Sequence, residues 1–326
     1  MSKTAGIDIG KHSIKLIELE EKKGRVEVTK AAIRRIVSGD VKSALKGIIS
    51  DSKLSLKRVN ASLSGSSVIV RYIEMMSMKK EELSSAIKFE AEKYIPFDIK
   101  DSIIDCAILD KTSSSGQRVL LAAAKKIDIN GLIELFKEAG LEIGIVDIDS
   151  FALLNSFQRA NLDHKDEAAR AIVNIGARFS NVNIITKGNV YFTRDILWGG
   201  IDVTDRIKDA AGIGFDAAES LKQDPAERRN EIVNMITPVM ERFVSQMRMS
   251  FDYFESQFGK NPENLYLSGG TAYLFNIVDF LKDNLGVETV MWDPFEGIKI
   301  SDPMISNEIQ KIPAVFAVAV GLAMRR

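Results

Sequence analysis

Three short stretches hold the residue types that can grip a phosphate. Gly10-Lys11-His12-Ser13 breaks the strand-like run Gly6–Leu19, Gly176-Ala177-Arg178-Phe179-Ser180 follows the apolar run Ala171–Ile175, and Ser268-Gly269-Gly270-Thr271 follows Asn264–Leu267. Glycine lets backbone N–H groups approach a phosphate oxygen closely, and Ser or Thr hydroxyls add donors. One such turn alone is more often an ordinary hairpin. Three of them, each ending a buried strand pattern, point to a bound nucleotide. The first two turns lead into strands and would act as hairpin clamps. Gly269-Gly270 reads as the lead into a helix, whose positive end would strengthen the grip.

The elements that must position these turns follow from periodicity. Gly6–Glu20 and Arg25–Val37 read as strands around the turn Glu21–Gly24, and Val41–Asp51 as a helix. Val59–Leu63 and Val68–Ile73 are strands separated by Ser64-Gly65-Ser66. Lys79–Tyr94 is an amphipathic helix with Leu83, Ile87 and Tyr94 on one stripe, stopped by Pro96. A hairpin, Ile103–Leu109 and Arg118–Ala124, turns at Thr112–Gly116. A helix Ile129–Ala139 ends at Gly140, and the strand Ile143–Val146 leads to the helix Phe151–Arg159.

The polar segment Asn161–Glu167 reads as a linker, after which the opening pattern returns: Ala171–Ile175, a turn, Val182–Ile185, a turn and Val190–Thr193. Asp8-Ile9-Gly10 in the first copy corresponds to Asn174-Ile175-Gly176 in the second, so the chain carries a weak internal duplication. Met240, Phe243, Val244, Met247, Phe251, Phe254 and Phe258 recur at helical spacing and read as a core stripe. Pro313 suits the first turn of a closing helix.

Composition narrows the function. The 326 residues, 45% hydrophobic and 27% charged, suit about two domains with sizeable cores. The net charge of −1 gives no sign of a nucleic-acid partner. Cys106 is the only cysteine, so no intrachain disulfide can form, and His12 and His164 are too few for a histidine-rich metal site. No run approaches the roughly 18 apolar residues of a membrane span, and the start lacks a signal-peptide core. A soluble cytoplasmic protein is expected.

With these motifs in view, the chain resembles the PilM family of type IV pilus assembly proteins, within the actin and FtsA superfamily. Gly6–Leu19 looks like that family's first phosphate motif. Lys88–Asp101, "KFEAEKYIPFDIKD", is the most specific segment, and "VDIDSFALLNSF", "FTRDILWGG", "LSGGTAYL" and "IPAVFAVAVGLAMR" share the family look. The resemblance covers nearly the whole chain.

It implies an α/β, bilobed actin-like fold, duplicated in the ribonuclease H manner, with an FtsA-type IC insertion. Subdomain IA would comprise 1–37, 142–165 and 310–326, and IC 38–141. IIA would comprise 166–205 and 255–309, and IIB 206–254. It implies ATP and Mg as cofactors. Asp8, at the family's first acidic position, would hold Mg²⁺ through waters. Gly10, Lys11, His12 and Ser13 would form the first phosphate loop, with Lys15 either a phosphate contact or a solvent-facing residue. Asn174 stands where actin-like ATPases usually carry Asp, which puts hydrolysis in doubt more than binding. Gly176, Ala177 and Arg178 would complete the second loop, and Gly269, Gly270 and Thr271 would lie along the adenosine.

Asp149 would orient an attacking water as the catalytic acid, or serve, like Asp147, as a helix N-cap. The resemblance also implies an inner-membrane platform scaffold of the pilus, peripheral to the membrane. It would bind the cytoplasmic N-terminal peptide of PilN and other platform proteins. Homo-oligomers are left open. The Glu90–Phe97 segment would wall the peptide groove or close a small core. Alternatives are a sugar-kinase-type phosphotransferase and a GspL-like type II secretion platform protein, which usually continues into a membrane span. The chain's end at Arg326 would lack the amphipathic membrane helix of FtsA.

Overall fold

Long alternating strands build the frame. The computed structural model describes residues 2–111, 115–160 and 167–325. In the first half, β1 (Ser2–Ile9), β2 (Ser13–Lys22) and β3 (Arg25–Arg35) form a meander. The helix α1 (Val41–Asp51) leads to β4 (Arg58–Leu63). After an intervening segment come the helix α3 (Lys126–Glu138), strand β8 (Glu142–Ile148) and helix α4 (Asp149–Ala160). The intervening segment holds β5 (Val68–Met76), α2 (Lys80–Ala91), β6 (Ser102–Lys111) and β7 (Gly116–Lys125). The turn expected at Thr112–Gly116 and the linker expected at Asn161–Glu167 fall largely outside the described residues.

The second half opens with the meander β9 (Ala169–Ile175), β10 (Ser180–Thr186) and β11 (Asn189–Ile196). Helices α5 (Gly200–Ala211), α6 (Phe215–Gln223) and α7 (Arg229–Phe258) follow, then β12 (Pro262–Ser268), α8 (Ile277–Leu285) and β13 (Glu288–Met291). The chain then returns to the first half with β14 (Lys299–Ile300), α9 (Pro303–Lys311) and α10 (Ala317–Ala323).

The duplication is a full sheet topology. The first sheet runs β14-β3-β2-β1-β4-β8 and the second β11-β10-β9-β12-β13. In each, a meander of three antiparallel strands continues into two parallel ones, β1-β4-β8 and β9-β12-β13. Helices α4 and α10 lie between the sheets. Ala152, Leu153 and Phe157 of α4 and Ala317, Val318 and Leu322 of α10 share one core with Ile172 and Ile185 of the second sheet. On its other side α10 puts Ala319 and Val320 against Ile17 and Leu19. Small residues make this layer tight: a Cβ on Gly321 would stand 1.7 Å from the Ala152 carbonyl oxygen, and one on Gly6 2.3 Å from that of Ala319.

One expectation is corrected here, at Tyr94, and two packing results bear on the expected subdomain bounds. The segment with its own core spans β5 to β7 and α2, where Ile73, Leu83, Ile87, Ala91, Val119 and Leu121 meet. That is narrower than 38–141, because α1, β4 and α3 pack into the first-sheet core through Leu45, Ile48, Val59 and Phe136. Residues 295–309, expected in the second lobe, pack on the first sheet through Phe295, Ile298 and Ile309. Tyr94 lies beyond the end of α2 and is 38% exposed, leaving Ala91 and Ile95 to fill the stripe. The aromatic stripe of α7 is core, with Phe243, Met247 and Phe254 fully buried; Trp198 stacks on Phe243 at 4.2 Å between centroids.

Candidate functional site

The carboxyl ends of the parallel strands are where open α/β sheets bind ligands, and most of the sequence-predicted residues lie there. Asp8 and Asn174 close β1 and β9, Ser268 closes β12, and Asp149 follows β8 directly. The first two turns repeat each other in geometry. The Gly10 N–H donates to the Ser13 carbonyl at 3.1 Å, and the Gly176 N–H to the Phe179 carbonyl at 3.0 Å.

The second and third turns are tied together. The Thr271 hydroxyl donates to the Gly176 carbonyl at 2.7 Å, and the Gly200 and Ile201 amides cap Gly176 and Ala177 at 3.1 and 2.8 Å. Gly269 has φ +90°, and a Cβ there would stand 2.7 Å from Asn174 Oδ1, so this close approach needs glycine. The helix expected after Gly269-Gly270 does not start there. Gly270–Tyr273 is a single 3₁₀ turn and α8 begins at Ile277, so no helix dipole supports this turn directly.

The charged groups fall into two clusters. In the first, Lys15 Nζ sits 3.1 Å from the Asp8 carboxylate, both largely buried, so strand alternation does not send Lys15 to solvent. Asp149 accepts from the Ser62 hydroxyl at 2.5 Å. Its carboxylate is committed to Ser62 and Ser64. Burial pushes the Asp149 pKa up to about 7, helped by the nearby charges of Asp8 and Asp195 and opposed by the two serine hydroxyls. Asp147 pairs with Arg325 at 2.9 Å and accepts from the Ile148 amide, away from Asp149's partners.

The second cluster was not foreseen. Lys222 Nζ on α6 donates to Glu219 at 2.6 Å, to the Thr204 hydroxyl at 2.9 Å and to the Gly200 carbonyl at 3.2 Å. A Cβ on Gly200 would lie 2.6 Å from Thr271 Oγ1 and 3.2 Å from Lys222 Nζ, so this pair stands beside the third turn. Burial penalises the Glu219 carboxylate, but Lys222 and Thr204 outweigh it and hold its pKa below the ordinary value. His12 of the first turn senses the same pair. Its pKa is lowered by burial, with Glu219 opposing and Arg35, Lys222 and Lys15 adding to the drop. Thus α6 stands beside the third turn and within electrostatic reach of the first. The i, i+3 spacing of Glu219 and Lys222 on a helix was the available signal. Lys11 and Arg178 are exposed, at the outer edges of their turns.

Asp195, at the end of β11, was also missed. It lies opposite Asn181, which itself lies opposite Asn174, so a row of polar residues crosses the sheet at its loop end. Asn181 Nδ2 bonds its carboxylate, and the Gly65 amide donates to its other oxygen at 3.1 Å. Burial raises the Asp195 pKa, with those two donors opposing.

Among the described residues no His/Cys/Asp/Glu cluster could hold a metal by itself. The single carboxylate of Asp8 fits a Mg²⁺ that arrives on phosphate oxygens, the usual manner of that ion. A cavity of about 350 Å³ opens beside the turns, between Arg35–Ser38 and Asp216–Gln223 of α6. Another, of about 480 Å³, lies at the opposite end of the first sheet, between Thr4, Asn155, Arg159 and Arg325, and touches none of the three turns.

Comparison with known proteins agrees with this frame. The chain matches the PilM chain of the PilM-PilN type IV pilus biogenesis complex at a TM-score of 0.90 and 27% identity, covering 99% of this chain and 98% of that one. It is 22% identical over 360 residues to the cell division protein FtsA of Streptococcus pneumoniae, covering 93% of this chain and 78% of that protein. MreB 5 of Spiroplasma citri bound to AMPPNP shares the fold at a TM-score of 0.55 and 12% identity, over 98% and 95% of the two chains. The actin-like fold is therefore established, and no helix among the described residues is long and apolar enough to cross a membrane. The family model described as type IV pilus assembly protein PilM matches residues 6–326, and the chain belongs to that family.

Proposed function

We propose that this protein is a nucleotide-binding scaffold of the pilus inner-membrane platform, and that it holds the cytoplasmic N-terminal peptide of a PilN partner. The observation that carries the nucleotide half is the placing of three glycine turns at the loop ends of two duplicated sheets, the third tied to the second through Thr271, with Lys222 of α6 beside them on Gly200. Amides of the Gly10 and Gly176 turns would grip the phosphates, and the Gly269–Thr271 turn with Glu219 and Lys222 would flank the nucleoside end. Mg²⁺ on the phosphates would supply positive charge beside Asp8. Lys15 holds the Asp8 carboxylate in place, and Asp149 would be the acid that orients an attacking water.

Asn174 is neutral where a second acid is usual, and its Oδ1 lies 3.4 Å from the Ser268 hydroxyl. Hydrolysis is therefore expected to be slow, because charge stabilisation around the phosphoryl group dominates this chemistry. In calorimetry with nucleotide-free protein, Mg-ATP should bind the wild type, and Asp8→Ala should weaken Mg²⁺-dependent binding about tenfold. Absence of heat at millimolar ATP and ADP removes the nucleotide reading.

The peptide half is supported by the likeness to the PilM chain of a PilM-PilN complex. The insertion's second face carries half-exposed apolar residues, Leu120, Ala122 and Ala124 of β7 beside the exposed Ile103 and Ala107 of β6. An extended peptide needs such a floor for a few apolar anchors. Titration of a labelled PilN N-terminal peptide, with a scrambled peptide beside it, tests this: the native peptide should bind and slow hydrogen exchange in β6 and β7. Equal binding of both peptides contradicts it.

A further inference from the structure

The turn Ser62–Gly65, between β4 and β5, has two masters. On one side its Ser62 and Ser64 hydroxyls hold Asp149, which belongs to the first half. On the other, the Gly65 amide is held by Asp195, which belongs to the second half. Gly65 has φ +65°, and a Cβ there would meet the Phe179 ring at 3.3 Å, beside the second glycine turn.

Immediately beyond this turn, β5 starts the insertion sheet, and that sheet is also docked on the second half. The Tyr72 hydroxyl lies 2.8 Å from Thr193 Oγ1, and Thr193 in turn donates to Asn183 at 2.9 Å. The Tyr191 hydroxyl donates to Asp110 at 3.3 Å, and the Arg118 guanidinium lies over the Tyr191 and Phe258 rings at 4.6 and 5.1 Å. Thr193 and Asp195 share one face of β11, opposite Asn183 and Asn181, and Tyr191 sits at the register shift just before them.

We propose that Asp195 is a positioning residue of the cleft, and that through the Ser62–Gly65 turn it couples filling of the cleft to docking of the insertion sheet on β11. The physical reason is charge. Docking holds Asp195 against the turn that carries Asp149, and the charges of Asp8 and Asp195 both act on Asp149, where like charges disfavour one another. A nucleotide carrying a divalent cation places positive charge among them and relieves that repulsion, so the filled cleft favours the docked sheet. Coupling of this kind is reciprocal: the factor by which the ligand favours docking is the factor by which docking favours the ligand. This inference rests on the nucleotide reading above.

The test uses Tyr72→Phe, which removes one docking hydrogen bond on the insertion sheet without touching any of the three turns. Asp195→Asn is the second variant, and Tyr253→Phe, at an exposed position of α7, is the control. Mg-ATP affinity is measured for each by calorimetry, and hydrogen exchange of the Gly65 amide and β5 is followed with and without Mg-ATP. Tyr72→Phe and Asp195→Asn should each weaken binding about fivefold, within the usual range of coupling between sites. Tyr253→Phe should not change it. In the wild type, Mg-ATP should slow exchange at Gly65 and β5, and in Asp195→Asn it should not. Wild-type affinity in Tyr72→Phe, or a nucleotide-dependent slowing that survives in Asp195→Asn, overturns the coupling and leaves the nucleotide reading standing. A wild-type protein that binds no nucleotide removes both, and its own titration tells the cases apart.

Discussion

Gly321→Ala should cost about 3 kcal/mol or more, the upper end for overpacking a tight interior. The position of the added methyl is the argument. It would lie 1.7 Å from the Ala152 carbonyl oxygen and 3.1 Å from its Cα, both backbone atoms of α4. No rotamer change relieves a backbone contact, so α10 must move off α4. Moving α10 also disturbs its seat on β1, where Gly6 faces the backbone of Ala319 and Ala323. Gly131, inside α3, has nothing within 4 Å of its added methyl. Gly131→Ala should therefore stabilise by about 0.5–1 kcal/mol, since alanine is the better helix former. Urea denaturation of the two variants beside the wild type checks both signs, and equal midpoints for Gly321→Ala and wild type refute the packing argument.

The second large effect belongs to Asp149. Its pKa is raised to about 7 in the folded protein, against roughly 4 for an unfolded Asp. Between those two values the native state binds more protons than the unfolded chain, so this group's contribution to stability falls as pH rises from about 4 to about 7 and then levels off. Asp149→Asn keeps an acceptor for Ser62 and cannot ionise. It should leave stability unchanged near pH 4 and raise it at pH 8, by about 1–3 kcal/mol. If Asp149 orients the attacking water, the same variant should lose most of a slow ATPase rate while its nucleotide affinity stays within a few-fold. Parallel stability curves for variant and wild type from pH 4 to pH 8 would count against the raised pKa.

The sequence carried the turns well, because each one is local: a glycine, a small hydroxyl residue and an apolar run are enough to mark it. Asp8-Ile9-Gly10 and Asn174-Ile175-Gly176 even exposed the duplication, although only the meander of each copy was readable. The partners β4, β8, β12 and β13 join in parallel, and nothing local specifies a parallel neighbour. Asp195 and the Glu219–Lys222 pair stayed hidden for the same reason, since each reaches the cleft from an element far along the chain. The start of the helix after Gly269-Gly270 was misplaced because Gly270–Tyr273 satisfies its backbone as a 3₁₀ turn before α8 begins. The resemblance set the insertion at 38–141, and within that span α1 and α3 turn their apolar faces to the first-sheet core.

The α10 layer has a consequence for how the molecule is made. The core of the second half draws on residues 169–281, one continuous stretch. The core on one face of the first sheet is likewise drawn from residues 5–141. The other face of each sheet cannot close in that way: Ile17 and Leu19 of β2 are covered by Phe316, Ala319, Val320 and Ala323, some three hundred positions further on, and Ile172 and Ile185 of the second sheet by Ala317, Val318 and Leu322. On the ribosome, each sheet can cover one face from its own stretch while the other still waits for α10. Contacts so distant in sequence form slowly, and exposed apolar sheet surface invites aggregation meanwhile. One face of the earliest-made strands is thus among the last to be covered, and variants that slow the seating of α10 should be felt first as a poor yield of soluble protein in cells.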